Sequence, residues 1–237
     1  MYEGRRILAV VPARGGSKGI PLKNLRMVGG ISLVARAGHV ARAVKAIDRA
    51  VVSTDHEGIA SEAKKAGLMA PFRRPESLSG PAIADWDVLY HALLTMEERD
   101  GVTYDMVLML QPTSPSRTPE HVERAISMLA DGGFDAVWSV SETDSKGHPL
   151  KQLTIGEGGG LDYYDQAGAG IVARQQLKPV YHRNGIVYAF TRECLAGQKT
   201  IKGRKTGALL IEEPVSNIDT ELDLAWAEFL LGRKGSL

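Results

Sequence analysis

Short apolar runs alternate along this chain with longer stretches in which apolar residues return every three or four positions. Residues 7–11 are an unbroken aliphatic run halted by Pro12, the pattern of a strand buried on both faces that enters a loop. Residues 31–46 then take up helical spacing, followed by a strand at 49–53, helices at 57–66 and 88–98, and an apolar strand at 106–110. A further helix spans 120–129, entered through Thr118-Pro119, where Thr118 offers an N-cap hydroxyl and Pro119 a preset helical φ. A strand follows at 136–140. Strands and helices in alternation imply an α/β fold with a parallel sheet covered on both faces. Ligands of such sheets bind at the carboxyl ends of the strands, where the loops after Val11, Val52 and Leu110 would gather.

The alternation fails between residues 142 and 181, where Gly156, Gly158, Gly159 and Gly160 cluster and the polar residues follow no period. This stretch reads as an insertion, and a segment of that length within a compact domain is often functional or interfacial. Regular structure resumes at 185–190 and 208–211, and a helix over 222–231 closes the chain. With no internal repeat, the 237 residues read as a single domain, 1–237, that carries the insertion.

Composition narrows the function more than the fold. At 43% hydrophobic and 24% charged residues, the chain has none of the bias of disordered or fibrous proteins. Lys plus Arg number 29 and Asp plus Glu 28, so no whole-molecule charge draws it to nucleic acid or to an anionic membrane, and any anion must be captured locally. Arg5 and Arg6 precede an apolar run too short for a signal peptide, and no segment approaches the ~18 apolar residues that would span a bilayer; a cytoplasmic protein is expected. The single Cys194 cannot form an internal disulfide, and stands either as a nucleophile or as a small apolar core residue.

Candidate chemistry begins directly after the first strand. In Arg14-Gly15-Gly16-Ser17-Lys18-Gly19 the glycines let backbone N–H groups turn toward an anion while Arg14 and Lys18 neutralise it; otherwise the stretch is a solvated turn with two exposed cations. The spacing fits neither the P-loop nor the dinucleotide G-x-G-x-x-G pattern, which argues against kinase, ATPase and dehydrogenase chemistry. Lys23-Asn24 adds a cation and an amide suited to a triphosphate and to a ribose or base edge.

The whole run from Val11 through Arg14-Gly15-Gly16-Ser17-Lys18-Gly19-Ile20-Pro21-Leu22-Lys23-Asn24 to Leu25 closely resembles the opening signature of the CMP-sialic acid synthetases, the acylneuraminate cytidylyltransferases. That resemblance implies a three-layer Rossmann-like nucleotidyltransferase fold, mostly parallel. It assigns the phosphates of CTP to Arg14, Ser17 and Lys18, with Gly16 and Lys23 in the same nucleotide site and Asn24 near the ribose. Val52-Ser53-Thr54-Asp55 and Leu110-Gln111-Pro112-Thr113-Ser114-Pro115-Ser116-Arg117 match the family as well, placing Gln111 over the cleft. Arg74-Pro75 resembles the family's loop beside the nucleotide. Gly80-Pro81-Ala82-Ile83-Ala84-Asp85 departs from the family residues near the base.

Within the insertion, His148-Pro149-Leu150-Lys151 and Arg174-Gln175-Gln176-Leu177 resemble the segment that reaches a partner's sugar site. Residues 142–181 are therefore expected to dimerise the protein, and Lys151 and Arg174 to meet the sugar carboxylate. Tyr181-His182-Arg183-Asn184-Gly185-Ile186-Val187-Tyr188 resembles a family strand entry, which makes Asn184 and Tyr188 substrate candidates and leaves His182 and Arg183 in competition for one role. Near the C-terminus, Ser216-Asn217-Ile218-Asp219 resembles the family's metal signature, with Asn217 in place of the first carboxylate. The resemblance thus implies Mg²⁺ on Asp219 and Asn217, with Arg14, Lys18 and Asp219 as the catalytic set. A capping role for Asp219 or Thr220, with Asp223 in the first turn, is the alternative. The reaction implied joins CMP from CTP to a sialic-acid-like nonulosonic acid; another keto-sugar acid, a sugar phosphate, or nucleotide binding without catalysis are the competing readings.

Overall fold

The computed structural model describes residues 1–234. Among the described residues are ten strands: β1 (Ile7–Pro12), β2 (Met27–Val28), β3 (Ile31–Ser32), β4 (Arg49–Ser53), β5 (Met106–Met109), β6 (Ala136–Glu142), β7 (Leu153–Ile155), β8 (Leu161–Tyr163), β9 (Tyr181–Thr191) and β10 (Thr206–Leu210). The helices are α1 (Leu33–Ala43), α2 (Glu57–Lys65), α3 (Asp85–Asp100), α4 (Pro119–Asp131) and α5 (Glu221–Lys234). Six strands form the central sheet in the order β10-β6-β9-β5-β1-β4. All neighbours pair parallel except at β9, which runs antiparallel to both β5 and β6.

The apolar runs become the middle layer because both faces of their strands need covering. Ile7, Ala9 and Val11 pack with Val34 and Ala37 of α1, Ile59 and Ala63 of α2, and Val122 and Ile126 of α4. Leu8 and Val10 face the other way, against Leu89, Leu93 and Met96 of α3. This is the three-layer α/β arrangement the alternation implied. Thr118 does precede α4, and its backbone N–H donates to His121 Nδ1 at 3.1 Å, a capping box with His at the third position.

The boundaries shift where a local contact competes with periodicity. Of the helix expected at 31–46, Ile31–Ser32 instead pairs with Met27–Val28 as a hairpin, and α1 starts only after Ser32, whose Oγ accepts the Ala35 N–H at 3.3 Å. Helix α3 begins at Asp85, three residues before the apolar period at 88, because the acidic first turn of Asp85 and Asp87 suits the positive end of the helix dipole. Strand β9 begins at Tyr181, so the strand expected at 185–190 extends back into the stretch read as insertion. What lies between β6 and β9 is the β7–β8 hairpin and a series of short turns.

Cys194 is fully buried in the α3-side core, and burial pushes its thiol up to about 12, so the nucleophile reading gives way to the apolar one. Among the described residues no helix is long and apolar enough to cross a membrane.

Candidate active site

β1 lies between β4, the next strand of the central sheet along the chain, and β5, so the chain reverses its direction across the sheet beside β1. A crevice opens at such a switch point at the carboxyl ends of the strands. A cleft of about 420 Å³ lies there. Pro12 comes to it from the end of β1, Arg14, Ser17, Lys18, Lys23 and Asn24 from the loop that follows, Arg74 from the segment between β4 and α3, Asp85 from the first turn of α3, Gln111 and Thr113 from the loop after β5, and Asp219 from the C-terminal segment.

The glycine-rich loop is held from below rather than by its own turn. Asp55, two residues past β4, accepts the Gly15 N–H at 2.8 Å, and the buried Asn24 carboxamide donates to the Arg14 carbonyl at 2.9 Å. Asn24, expected near the ribose, therefore has its amide donor committed to fixing the loop while it lines the cleft. Gly16 is exposed in the same loop, and Lys18 is exposed at its rim.

Arg74 is only 5% exposed. Its Nε donates to Ser53 Oγ at 3.1 Å and its Nη2 to the Ser53 carbonyl. Burial pulls its pKa down to about 10, which leaves it charged at neutral pH, with Asp55 and Asp85 countering the loss and Arg14 adding to it. Asp85 is raised above the usual carboxylate range by its own burial, opposed by Arg183 and Arg74. The cleft is thus lined by four cations, Arg14, Lys18, Lys23 and Arg74, against two carboxylates, Asp85 and Asp219. A strongly anionic ligand suits that balance.

The C-terminal segment resolves the choice between capping and a role in the cleft. Thr220 and Asp223 form the cap of α5: the Asp223 carboxylate accepts the Thr220 N–H at 2.7 Å, and Thr220 Oγ1 accepts the Asp223 N–H at 3.3 Å. Asp219 is left for the cleft. Asn217 and Asp219 are exposed while Ile218 between them is fully buried against Ile20 and Leu224, the alternation of extended chain, so both side chains stand on the open side. The Ile218 N–H donates to the Thr113 carbonyl at 2.9 Å, and Lys23 Nζ donates to the Ile218 carbonyl at 2.7 Å and to Asp219 Oδ1 at 2.8 Å. Gly19 lies so close that a Cβ there would stand 2.5 Å from the Asp219 carbonyl oxygen, so only glycine permits this approach.

On the other side of the cleft the wall is a bulge in β9. The pairing with β6 shifts between Trp138 and Val140, so that Arg183 to Tyr188 on β9 oppose a shorter stretch of β6 and the surplus chain turns at Gly185, with φ +77°. A Cβ on Gly185 would meet Ser114 Oγ at 2.5 Å and Gln111 Oε1 at 3.0 Å, which places this turn against Gln111. Asn184 is the stitch of the bulge: 2% exposed, it accepts from Ser139 Oγ at 2.6 Å and the Ile186 N–H at 3.1 Å and donates to Ser141 Oγ at 3.0 Å. The Tyr188 hydroxyl accepts the Gly185 N–H at 3.0 Å. Asn184 and Tyr188, expected to touch substrate, are both buried and shape this wall from behind.

Three contributors had no role in the sequence reading. Arg117, 6% exposed, donates from Nε to the Ile186 carbonyl and from Nη2 to those of Gln111 at 2.5 Å and Gly185 at 3.2 Å, tying the β5 loop to the bulge. Asp55 anchors the phosphate loop, and Trp138 carries Arg183 over its ring at 5.1 Å. Arg117 closes the Gln111 motif in sequence, a positional signal, but nothing in the sequence showed that it is buried. His182 is exposed and its Nδ1 meets Thr143 Oγ1 at 2.9 Å, away from the rings that hold Arg183. Lys151 and Arg174 are both exposed in the insertion, and neither is among the residues that line the cleft of their own chain.

Comparison with known proteins agrees with this geometry. A synthase described as forming CMP-N,N'-diacetyllegionaminic acid, from Legionella pneumophila, is 32% identical over 232 residues, covering 94% of both chains. An N-acylneuraminate cytidylyltransferase from Oncorhynchus mykiss is 30% identical over 226 residues, covering 94% of this chain and 49% of that protein. A CMP:2-keto-3-deoxy-manno-octonic acid synthetase solved with CTP superposes at a TM-score of 0.69, covering 97% of this chain and 99% of that one, at 17% identity, a likeness of fold. A family model described as cytidylyltransferase matches residues 8–225, a span that takes in the glycine-rich loop, the Gln111 loop and Asp219 together, and the chain belongs to that family.

Proposed function

We propose that this protein transfers CMP from CTP to the anomeric hydroxyl of a nonulosonic acid of the sialic or legionaminic kind, releasing pyrophosphate. The observation that carries the reading is the division of the cleft. One wall is a cation-bearing glycine-rich loop anchored by Asp55, and the other is the Gln111–Gly185 wall anchored by Arg117.

In the reaction the acceptor oxygen attacks the α-phosphorus in line, a new P–O bond forms, and the bond to the leaving pyrophosphate breaks. Arg14, Lys18 and the Ser17 loop bind the triphosphate and neutralise charge that builds on the leaving group, while Arg74 stabilises the nucleotide side from within the protein. Gln111 orients the acceptor. The hydroxyl proton passes to solvent or to a cleft carboxylate, and those lining the cleft are Asp85 and Asp219.

A divalent cation fits this donor set only with the substrate's help. Among the described residues no group of three His, Cys, Asp or Glu side chains is gathered, and Asp219 is the carboxylate of the C-terminal segment that lines the cleft. Mg²⁺ commonly takes one or two carboxylates and completes its shell with phosphate and water, so Asp219 and the Asn217 amide oxygen would hold it beside the triphosphate, where it supplies charge neutralisation. Lys23 Nζ pairs with Asp219 Oδ1 at 2.8 Å.

A homodimer built through residues 142–181 is part of the same proposal. Its support is the exposed apolar surface there, with Ile155 77%, Tyr164 70% and Val172 88% exposed. The test is pyrophosphate release with each nucleoside triphosphate against sialic, legionaminic and pseudaminic acids, an eight-carbon keto-sugar acid and sugar 1-phosphates, with and without Mg²⁺. Release specific to CTP and a nonulosonic acid is expected; preference for a sugar phosphate, or CTP binding with no turnover of any acceptor, would overturn the reading.

A further inference from the structure

The two edges of the central sheet are finished differently. Along β4 the chain that follows α2 returns as a cover: the Val52 N–H donates to the Met69 carbonyl and the Met69 N–H to the Ala50 carbonyl, both at 2.8 Å. The opposite edge is β10. There the Lys205 carbonyl accepts the Ala136 N–H at 3.4 Å and the Ile211 N–H donates to the Val140 carbonyl at 2.9 Å, so the odd-numbered residues bond to β6. The alternation of a strand then turns the N–H and C=O groups of Thr206, Ala208 and Leu210 outward. Among the described residues those three N–H groups have no partner, and of the three carbonyls only that of Leu210 has one, the Arg124 guanidinium at 3.3 Å. The Ala208 side chain is exposed and too short to shield the backbone beside it.

An open edge is a template for another strand, and chains that must stay apart blunt it with a charge, a proline or a bulge within the strand. β10 has none of these. Its five residues are uncharged, and its ladder with β6 runs from Thr206 to Leu210 without a shift in register. The charges stand beyond its ends and differ in sign: Lys202, Arg204 and Lys205 precede it, and Glu212 and Glu213 follow it, the second of these held by His121. Arg204 and Glu212 are exposed, and among the described residues neither has a partner within ion-pair distance; the charge of Arg204 reaches Asp135 only from farther away. A strand that is positive before its start and negative after its end complements itself when run antiparallel, which is what a two-fold contact between identical chains requires.

We propose that β10 is a self-association edge, on which a second copy of this chain lays its own β10 antiparallel across a two-fold axis at Ala208, joining two six-stranded sheets into one. In that register Thr206 stands opposite the partner subunit's Leu210 and Arg204 opposite the partner subunit's Glu212, so the outward backbone groups pair and each end of the ladder carries an ion pair. The occupant is a second copy because the chain itself holds the complementary order of charge. No residue of β10 lines the cleft, and the strand lies outside residues 142–181, so this contact neither needs nor excludes one through the insertion.

The experiment is sedimentation equilibrium of the full chain over about 1–100 µM, a range in which a small interface dissociates, with Tm and CTP binding recorded for each variant. Ala208→Pro removes the N–H on the axis, which makes no bond within the chain, and an edge strand accepts proline there. Its mass should fall to half that of wild type at equal concentration, while Tm and CTP binding hold. Arg204→Glu and Glu212→Arg each set like charges opposite one another at both ends of the ladder, and each should weaken association by about 10-fold or more. An equimolar mixture of these two variants should associate again, because each chain then supplies the sign the other lacks. The proposal is overturned if wild type stays a monomer throughout the range, if Ala208→Pro keeps the wild-type mass, or if the mixture associates no better than either variant alone. Should Ala208→Pro fail to fold, the charge-reversal mixture decides by itself.

Discussion

Replacing Arg117 with Met tests whether one buried side chain joins the two halves of the acceptor wall. The guanidinium donates to the backbone carbonyls of Gln111, Gly185 and Ile186, and burial pulls its pKa down to about 9, so it remains charged at neutral pH. Methionine fills most of the volume but supplies no donor, so the Gly185 and Ile186 carbonyls of two buried residues lose theirs, while the part-buried Gln111 carbonyl keeps the Ser114 N–H. Each buried acceptor left unpaired costs about 1–3 kcal/mol, and because the two share one donor the costs are not additive; about 3–5 kcal/mol in total is expected, the lost packing of the guanidinium included. For a domain of this length each kcal/mol moves Tm by about 2–4 °C, so the variant should melt about 6–20 °C lower. Turnover should fall further than stability alone requires, because Gln111 and the Gly185 turn lose their common anchor. CTP binding should persist, since Asp55 and Asn24 hold the phosphate loop independently. Calorimetry, CTP titration and pyrophosphate release on one preparation read all three quantities. A Tm within about 2 °C of wild type together with unchanged kcat would refute the assignment, and Arg117→Lys, which can restore one of the bonds, should fall between the two.

Gly185→Ala places a methyl group 2.5 Å from Ser114 Oγ at a φ of +77°, so a loss of at least about 1–2 kcal/mol in stability and displacement of Gln111 are expected, read as a kcat defect larger than the shift in Tm. Asn217→Asp adds a second carboxylate two residues before Asp219; the Mg²⁺ concentration for half-maximal pyrophosphate release should fall, and an unchanged or higher requirement would remove Asn217 from the metal site. Because Cys194 is fully buried and burial raises its thiol to about 12, the folded protein should alkylate far more slowly than the denatured chain, with no plateau in rate up to about pH 10. Native labelling that is as fast as in the denatured protein and levels off above about pH 9 would show an accessible thiol of ordinary acidity.

Much of the fold was legible in the chain because a strand buried on both faces and an amphipathic helix each leave a period that burial imposes. The runs at 7–11, 49–53 and 106–110 became β1, β4 and β5, and the polar loops that follow them meet at one edge because parallel strands bring their carboxyl ends together. The cations of the phosphate loop were readable for a similar reason: glycines and charges are local in sequence. Periodicity failed where a side chain or a hairpin intervened, as at Ile31–Ser32, and where acidic residues extended α3 back to Asp85.

The division of labour within the site belonged to the tertiary structure. Asp219 could be a cap or a cleft residue until the Thr220–Asp223 pair took the cap and Lys23 drew Asp219 to the loop, the latter a contact 196 positions apart in the chain. Asn184 and Tyr188 were candidates through the family resemblance of their segment; in the fold both are buried, Asn184 holding the bulge through Ser139, Ser141 and the Ile186 N–H while the Tyr188 hydroxyl accepts the Gly185 N–H. Arg117 and Arg183 are indistinguishable in a sequence; one is sealed among backbone carbonyls and the other stands exposed beside two aromatic rings. The sequence therefore determined the layers, the strand ends and the anionic character of the ligand, because hydrophobic period and local charge are properties of neighbouring residues. Which polar groups remain free to meet that ligand was decided only when distant segments packed together, since a hydrogen-bonding group is committed or available according to its neighbours in space.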